Sequence, residues 1–369
     1  QSLEPRATLY PKYFTDLDTF STPRISSKLL QITDSQSLIR SDFWRSGISN
    51  KIPSYPDGVF NSSICQTIKK VEKNPSIENI QQLLEISDND FKYVTDYAND
   101  VKSQIHGSDI TFVINRNINY TNICSFKCNF CAFSKGRGHD DLRGKPYNIS
   151  HEEIIRRTNE AVDRGATEVC LQGGIHPKYS GETYLEIVKA IRSASPSIHI
   201  HAFSPLEIDH GRKTLNISTK EFLQELQKAG LNSLPGTAAE ILHDDIREII
   251  CPDKLTSNQW IKIIETAHSV GLPTTSTMMF GHIERTAHVA HHLLELLNLQ
   301  KRTNGITEFV PLPFVADEAP IFRRGKARTG PTFKETILVH SVARILFQGQ
   351  INNIQGSWVK MGLPGLKFL

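Results

Sequence analysis

Three cysteines lie within eight residues of one another, Cys124, Cys128 and Cys131, at C-x-x-x-C-x-x-C spacing. Thiolates are soft ligands that suit zinc or iron–sulfur clusters. A structural zinc site takes four ligands, usually two Cys pairs or Cys with His, and this chain has no second C-x-x-C pair. Ferredoxin clusters also take four cysteines. The trio therefore predicts a 4Fe–4S cluster with one open iron that is able to bind a small chelating molecule.

The elements that must position this trio follow a strand–helix rhythm from about residue 109 onward. Capping pairs such as Ser218 with Glu221 and Thr237 with Glu240 predict where helices begin. Glycines such as Gly230 and Gly271 predict where helices end. Apolar runs between the helices predict seven strands, at 109–117, 168–172, 198–203, 231–235, 273–280, 306–312 and 350–355. This alternation predicts parallel strands in an α/β fold of (β/α) TIM type, with the chemistry at the carboxyl ends of the strands.

Seven strands are one fewer than a closed eight-stranded barrel needs, so we expect a barrel that lacks its last strand because the chain is truncated. Three segments are predicted: 1–62 as a linker or the tail of an upstream domain, 63–108 as an N-terminal helical extension, and 109–369 as the barrel. We also expect the region 1–105 to form a lid over the mouth of the barrel.

Several runs around the trio carry a family resemblance from about residue 63 to the end: N-R-N-I-N-Y-T-N-I-C at 115–124, L-Q-G-G-I-H-P at 171–177, H-I-H-A-F-S-P at 199–205, P-G-T-A-A-E-I-L at 235–242 and M-M-F-G-H-I-E at 278–284. Together with the trio they resemble the radical S-adenosylmethionine (SAM) superfamily and, within it, the tyrosine-using subunit of FO synthase, the CofH family. That family forms the C-terminal half of fused FO synthases. Aminofutalosine synthase of menaquinone biosynthesis shares many of these runs and is the alternative.

The resemblance implies a 4Fe–4S cluster on the three cysteines and S-adenosylmethionine on the open iron. It places Phe130 near the adenine and the Gly173–Gly174 pair near the methionine amino group, although the next position, usually acidic, is Ile175 here. The residues that we expect to contact the cofactor are Phe130, Gly173, Gly174, Ser204 and Glu240.

The reaction implied by the resemblance is transfer of the 4-hydroxybenzyl group of L-tyrosine to 5-amino-6-(D-ribitylamino)uracil, with 2-iminoacetate as the other product. Expected partners are a low-potential electron donor and the second FO synthase radical SAM domain, fused upstream. Candidate catalytic residues are His176, as a proton relay, and Glu207 and Glu284, as carboxylates for an ammonium or a ribose. His199 and His201 share one strand face and suit either a substrate contact or a polar layer inside the barrel.

Composition excludes other classes. A net charge of +3 and a pI near 8.4 give no reason to expect a nucleic-acid partner. The absence of an apolar run of about 18 residues argues against a membrane span. Six cysteines, three of them clustered, do not have the layout of a disulfide-linked secreted fold. We therefore expect a reducing compartment, the cytoplasm or an organellar stroma or matrix. An iron–sulfur electron-transfer or structural module remains the alternative of another class.

Overall fold

Short parallel strands alternate with helices in the computed structural model, which describes residues 42–48, 52–57, 61–134 and 145–369. The strands are β1 (Asn115–Asn119), β2 (Glu168–Gln172), β3 (His199–Ala202), β4 (Thr274–Phe280), β5 (Ile306–Pro313) and β6 (Asn353–Ile354). The helices are α1 (Ser62–Lys73), α2 (Ile77–Leu84), α3 (Asp88–His106), α4 (His151–Asp163), α5 (Gly181–Ala194), α6 (Pro205–Leu215), α7 (Thr219–Ala229), α8 (Asp244–Ile250), α9 (Ser257–Ser269), α10 (Thr286–Thr303), α11 (Pro320–Arg323), α12 (Phe333–Leu346) and α13 (Trp358–Leu366).

The strands form a curved parallel sheet in two halves, ordered β1-β2-β3 and β4-β5-β6. Parallel bridges from His201 to Ser233 and from Leu234 to Thr274 join the halves. The segment 233–234 therefore occupies the strand position predicted for 231–235, although it makes only single bridges. Seven strand positions in chain order, with helices between them, confirm the (β/α) TIM-type architecture.

The first predicted strand was wrong in its bounds. The ladder begins at Asn115, opposite Glu168, because β2 starts there; before it only the Ile114 carbonyl is held, by a hydrogen bond from the Thr167 N–H (2.8 Å). The chain at 110–114 is consequently exposed, with Ile110 84% and Phe112 71% accessible. In the described part of the chain β1 has a hydrogen-bonded neighbour on one side only.

Local capping chemistry explains most helix boundaries. Ser218 with Glu221, Thr256 with Gln259 and Thr332 with Glu335 form the reciprocal boxes that the sequence predicts. The pair Thr237 and Glu240 does not form the capping box that the sequence predicts. The chain turns there through Ala238 and Glu240, at φ +60° and +50°, and the helix α8 begins only at Asp244.

The helices of the N-terminal region do not form the expected lid over the mouth of the barrel. The helices α1 to α3 pack against α10 and α12 on the outer surface of the barrel. Most of 1–62 lies outside the described residues, but 42–48 packs onto the barrel: Trp44 is 1% exposed beside Phe333, and the Ser46 hydroxyl donates to the Pro313 carbonyl over 3.4 Å. This short segment thus reaches the carboxyl end of β5. None of the described helices is long and apolar enough to cross a bilayer.

Because Trp44 fills a fully buried position, we expect Trp44→Ala to lower the free energy of unfolding by about 3–5 kcal/mol. Phe112→Ala removes an exposed aromatic side chain and should change it by less than about 0.5 kcal/mol. Urea denaturation of both variants measures the difference. Equal stabilities would contradict the assignment of 42–48 to the folded barrel.

Candidate active site

The three cysteines lie on the loop after β1, at the carboxyl end of the parallel strands. Backbone hydrogen bonds hold this loop on two sides, from Ser125 N–H to the Ile175 carbonyl (2.9 Å) and from Asn129 N–H to the Ile250 carbonyl (2.8 Å). All three thiols are half-buried and none is in a disulfide. The loop therefore presents three free sulfurs at the mouth of the barrel.

The surroundings of the sulfurs suit an iron–sulfur cluster. The N–H of Ile175 donates to Cys124 Sγ and that of Ser134 to Cys131 Sγ, each over 3.3 Å. Such hydrogen bonds to sulfur help to set cluster potentials. Burial raises the pKa of the Cys128 thiol to about 12 and also raises the pKa of Cys131. Since ligating thiols must lose their protons, metal binding here is coupled to proton release.

The Gly173–Gly174 pair allows the cysteine loop to approach β2. A Cβ on Gly174 would lie 2.4 Å from the Ile123 carbonyl oxygen and 2.9 Å from Cys124 Cβ. A Cβ on Gly173 would lie 2.3 Å from the ring of Tyr120. Both positions thus exclude a side chain for reasons of packing, and their contact with the cofactor stays a prediction.

A largely buried lysine that the sequence did not reveal, 11% exposed at its side chain, lies beside the cysteines. Lys254 Nζ is 2.8 Å from Glu240 Oε1 and 5.0 Å from the centroid of the Phe130 ring. The ammonium also interacts electrostatically with Cys128 and Cys131 and opposes the rise in their pKa caused by burial. The predicted cofactor residues Phe130 and Glu240 are therefore brought together by a cation. A single lysine in a loop carries no sequence signal of this burial.

The Glu207 carboxylate is already hydrogen-bonded within the protein, unlike a carboxylate that is free to bind a ligand. It is 2% exposed, and it accepts hydrogen bonds from the Tyr120 hydroxyl and from the Ser204 N–H (2.7 Å) and hydroxyl (2.6 Å). The Gly173 N–H also donates to it. Burial raises the pKa of Glu207 while these donors oppose the rise. Glu207 and Ser204 thus brace the strand ends and have little capacity left for substrate.

Glu284 is likewise occupied by its own loop. Its carboxylate accepts from the N–H groups of Gly281 (2.5 Å) and His282 (2.9 Å) and pairs with Arg328 at 3.2 Å. Burial opposes ionisation, but His282, Arg328 and the two N–H groups together lower the pKa of this carboxyl. A carboxylate whose ionised form is favoured by these partners acts as a structural anchor.

His176 lies at the carboxyl end of β2, stacked on Tyr179 with 4.7 Å between ring centroids. Its Nδ1 accepts from the Lys178 N–H over 3.1 Å, so the proton resides on Nε2. Burial lowers the pKa of His176, which favours the neutral ring. The neutral ring can donate a hydrogen bond from Nε2 to a substrate oxygen, and its role as a proton relay stays a prediction.

We expect Cys124→Ala, Cys128→Ala and Cys131→Ala each to abolish reconstitution of the iron–sulfur cluster, because each removes one of only three ligands. Cys251→Ala is the matched control. Its thiol is buried close enough to Cys128 to interact electrostatically, yet it lies off the loop. Iron and sulfide content and the visible absorption band report the outcome. Loss of the cluster in Cys251→Ala alone would overturn the assignment of ligands.

We expect Lys254→Met to lower the midpoint potential of the reconstituted cluster by about 50–100 mV, the effect of losing one nearby positive charge at moderate effective dielectric. Lys262→Met, on the exposed surface of α9, should leave the potential unchanged. An EPR-monitored redox titration makes the measurement. Equal potentials in the two variants would contradict an electrostatic role for Lys254.

Comparison with known proteins agrees with this arrangement. Residues 118–297 match the family model for the Radical SAM superfamily. The 5-amino-6-(D-ribitylamino)uracil--L-tyrosine 4-hydroxyphenyl transferase of Methanothermobacter thermautotrophicus (strain Delta H) is 42% identical over 294 residues, covering 80% of this chain and 79% of that protein. The FO synthase of Mycobacterium leprae (strain TN) is 43% identical over 306 residues, covering 82% of this chain. The match spans 35% of the length of that synthase.

The solved structure of methylornithine synthase (PylB) shares the fold, with a TM-score of 0.62 and 16% identity, covering 82% of each chain. Fold, cysteine spacing and identity over most of the transferase from M. thermautotrophicus lead to one classification. The chain belongs to the radical SAM superfamily and, within it, to the family of 5-amino-6-(D-ribitylamino)uracil--L-tyrosine 4-hydroxyphenyl transferases.

Proposed function

We propose that this chain transfers the 4-hydroxybenzyl group of L-tyrosine to 5-amino-6-(D-ribitylamino)uracil, the step that supplies the precursor of the deazaflavin FO in coenzyme F-420 biosynthesis. The observation that carries the proposal is the placement of three free thiols on the loop after β1, at the carboxyl end of the parallel strands. Relatives that are 42–48% identical bear the name of this activity.

The cofactors are a 4Fe–4S cluster and S-adenosylmethionine, as in the superfamily to which the chain belongs. Cys124, Cys128 and Cys131 would hold the cluster, with Phe130 and the Gly173–Gly174 pair bordering the position of S-adenosylmethionine. When bound, these groups supply a 5′-deoxyadenosyl radical that removes a hydrogen atom from L-tyrosine. The contribution of the protein is to place and orient the substrates and to set the local charge.

The side chains that face the barrel axis are of two kinds, apolar toward the carboxyl ends of β4 and β5 and polar on β1 to β3. Along the axis, β4 and β5 present Met279, Val310 and Leu312, which suit the face of a phenol ring. His176 Nε2–H, at the mouth, is able to donate a hydrogen bond to a substrate oxygen. The segment 42–48 covers the carboxyl end of β5 and so reduces the access of water from that side.

The partners proposed from the same resemblance are a low-potential electron donor and a second FO synthase radical SAM domain. The Mycobacterium leprae relative supports the latter, because its FO synthase is much longer than the matched region. Six free cysteines support the proposal of a reducing compartment, the cytoplasm or an organellar stroma or matrix.

The test is an anaerobic assay of the reconstituted protein with S-adenosylmethionine, dithionite, L-tyrosine and 5-amino-6-(D-ribitylamino)uracil, followed by mass spectrometry. We expect a hydroxybenzyl–uracil adduct together with free 5′-deoxyadenosine. Cys128→Ala is the control and should give neither product.

Other outcomes would contradict the proposal in distinguishable ways. Free 5′-deoxyadenosine without adduct would retain the radical chemistry and reject the substrates. An adenosyl group retained in a product formed from an enolpyruvyl benzoate would indicate an aminofutalosine synthase. A cluster whose spectrum does not respond to S-adenosylmethionine would indicate an electron-transfer or structural module.

A further inference from the structure

The interior wall formed by β1, β2 and β3 is polar throughout. Alternate residues on these strands face the surrounding helices and are fully buried, as Ile118, Val169, Leu171, Ile200 and Ala202 are. The other residues face the barrel axis, and most of them are partly exposed: Asn115, Asn117, Asn119, Glu168, Cys170, Gln172, His199 and His201. Barrels of this type usually fill the axis with bulky branched residues. This half of the barrel instead presents hydrogen-bonding groups to an accessible lumen.

Four of the inward side chains, Glu168, His199, His201 and Glu308, form what we name the lower-lumen cluster, at the amino ends of the strands. Glu168 lies opposite His199 in register, with 3.9 Å between Oε2 and His199 Nε2. Glu308 comes from β5 and interacts electrostatically with Glu168 across the lumen. The cluster therefore joins both halves of the sheet.

The hydrogen bonds within the cluster leave it with both donors and acceptors. His199 Nε2 and His201 Nδ1 each lie 2.7 Å from the Ser233 hydroxyl oxygen. One hydroxyl proton can serve only one of these rings, so at least one ring donates to the serine oxygen. The two carboxylates supply acceptors, and Glu168 also receives a bond from Asn115 Nδ2 over 3.3 Å.

Charge restricts what this wall can bind. The six strands contain a single lysine or arginine, Arg116, and it points outward to Glu160 on α4 at a distance of 3.1 Å. Burial and the Glu168 carboxylate raise the pKa of Glu308 to about 7. Glu168, and Glu308 when it is ionised, have no facing cation on the strands and would repel a phosphate or the carboxylate of an amino acid. A neutral chain of hydroxyl groups, each able to donate to a carboxylate and to accept from an amide or imidazole, fits these donors and acceptors.

We propose that the lower-lumen cluster binds the ribityl chain of 5-amino-6-(D-ribitylamino)uracil, an inference that rests on the function proposed above. Gln172 is four residue steps beyond Glu168 along β2, a rise of about 13 Å. A ribityl chain held at the amino ends of the strands directs the uracil ring upward, toward the cysteine loop. The polar wall then orients one substrate while the wall formed by Met279, Val310 and Leu312 receives the other.

The test is anaerobic titration calorimetry of the reconstituted protein with S-adenosylmethionine and two ligands. One ligand is 5-amino-6-(D-ribitylamino)uracil, and the other is 5-amino-6-(methylamino)uracil, which lacks the hydroxyl groups. Glu168→Ala and Glu308→Ala should each weaken binding of the ribityl ligand about tenfold or more, while the affinity for the methyl analogue changes less than about twofold. Glu308→Gln retains an acceptor oxygen and should keep most of the affinity.

Glu186→Ala removes an exposed carboxylate on α5 and is the matched control, with no change expected for either ligand. Cluster content and formation of 5′-deoxyadenosine without the uracil verify that each variant is folded. If both ligands weaken equally, or neither weakens, the inference is overturned. If the wild-type protein forms the adduct while Glu168→Ala and Glu308→Ala bind the ribityl ligand with normal affinity, this inference alone is overturned. Failure of the wild type to bind the ribityl ligand and to form adduct would overturn the proposed function as well.

The donor atoms of Glu168, His199 and His201 lie within 4.8 Å of one another, a spacing that a divalent metal ion could also use. Metal analysis of a Cys124, Cys128 and Cys131 triple-alanine variant distinguishes the two cases. We expect no retained zinc after dialysis. One equivalent of zinc that is lost on further substitution His199→Ala would overturn the polyol assignment.

Discussion

The arrangement of the site depends on one buried carboxylate. Glu207 accepts hydrogen bonds from Tyr120, which follows β1, from Gly173, which follows β2, and from Ser204, which follows β3. An ionised carboxylate without partners would be very costly at this depth, whereas one that is fully hydrogen-bonded fixes its donors in place. The carboxyl ends of three strands are thereby held together directly beneath the loop that carries the cysteines.

The Gly173–Gly174 pair and Lys254 position the cysteine loop relative to these strand ends. Gly174 lets the Ile123 backbone and the Cys124 side chain lie close to the end of β2, and the loop is tied to the end of α8 through Asn129. The segment 251–254, which follows α8, places the Lys254 ammonium over the face of the Phe130 ring. The same contacts position the cysteine loop and the Lys254 ammonium. The distance between the sulfurs and this positive charge is therefore fixed.

The sequence was informative where the chemistry is local. The cap pairs at Ser218 and Thr332 and the strand at 168–172 each depend on residues close together in the chain, and the structure agrees with all three. The cysteine spacing is equally local, and the assignment of Cys124, Cys128 and Cys131 as cluster ligands stays a prediction. The roles of Glu207 and Glu284 could not be predicted, because their donors come from other strands and from Arg328. Lys254 and Glu308 could not be predicted for the same reason. Burial beside a residue that is distant in the chain produces no periodic pattern in the sequence. The segment 110–114 has strand composition, and only the position at which β2 starts shows that the ladder does not extend into it.

The exposed segment 110–114 continues directly into the outer strand β1, whose free side carries unpaired backbone groups in the part of the chain described. An apolar extended segment next to such an edge is a template on which another copy can add a strand. A lysine in place of Phe112 or Val113 would introduce a charge that opposes strand addition, at a position far from the sulfurs.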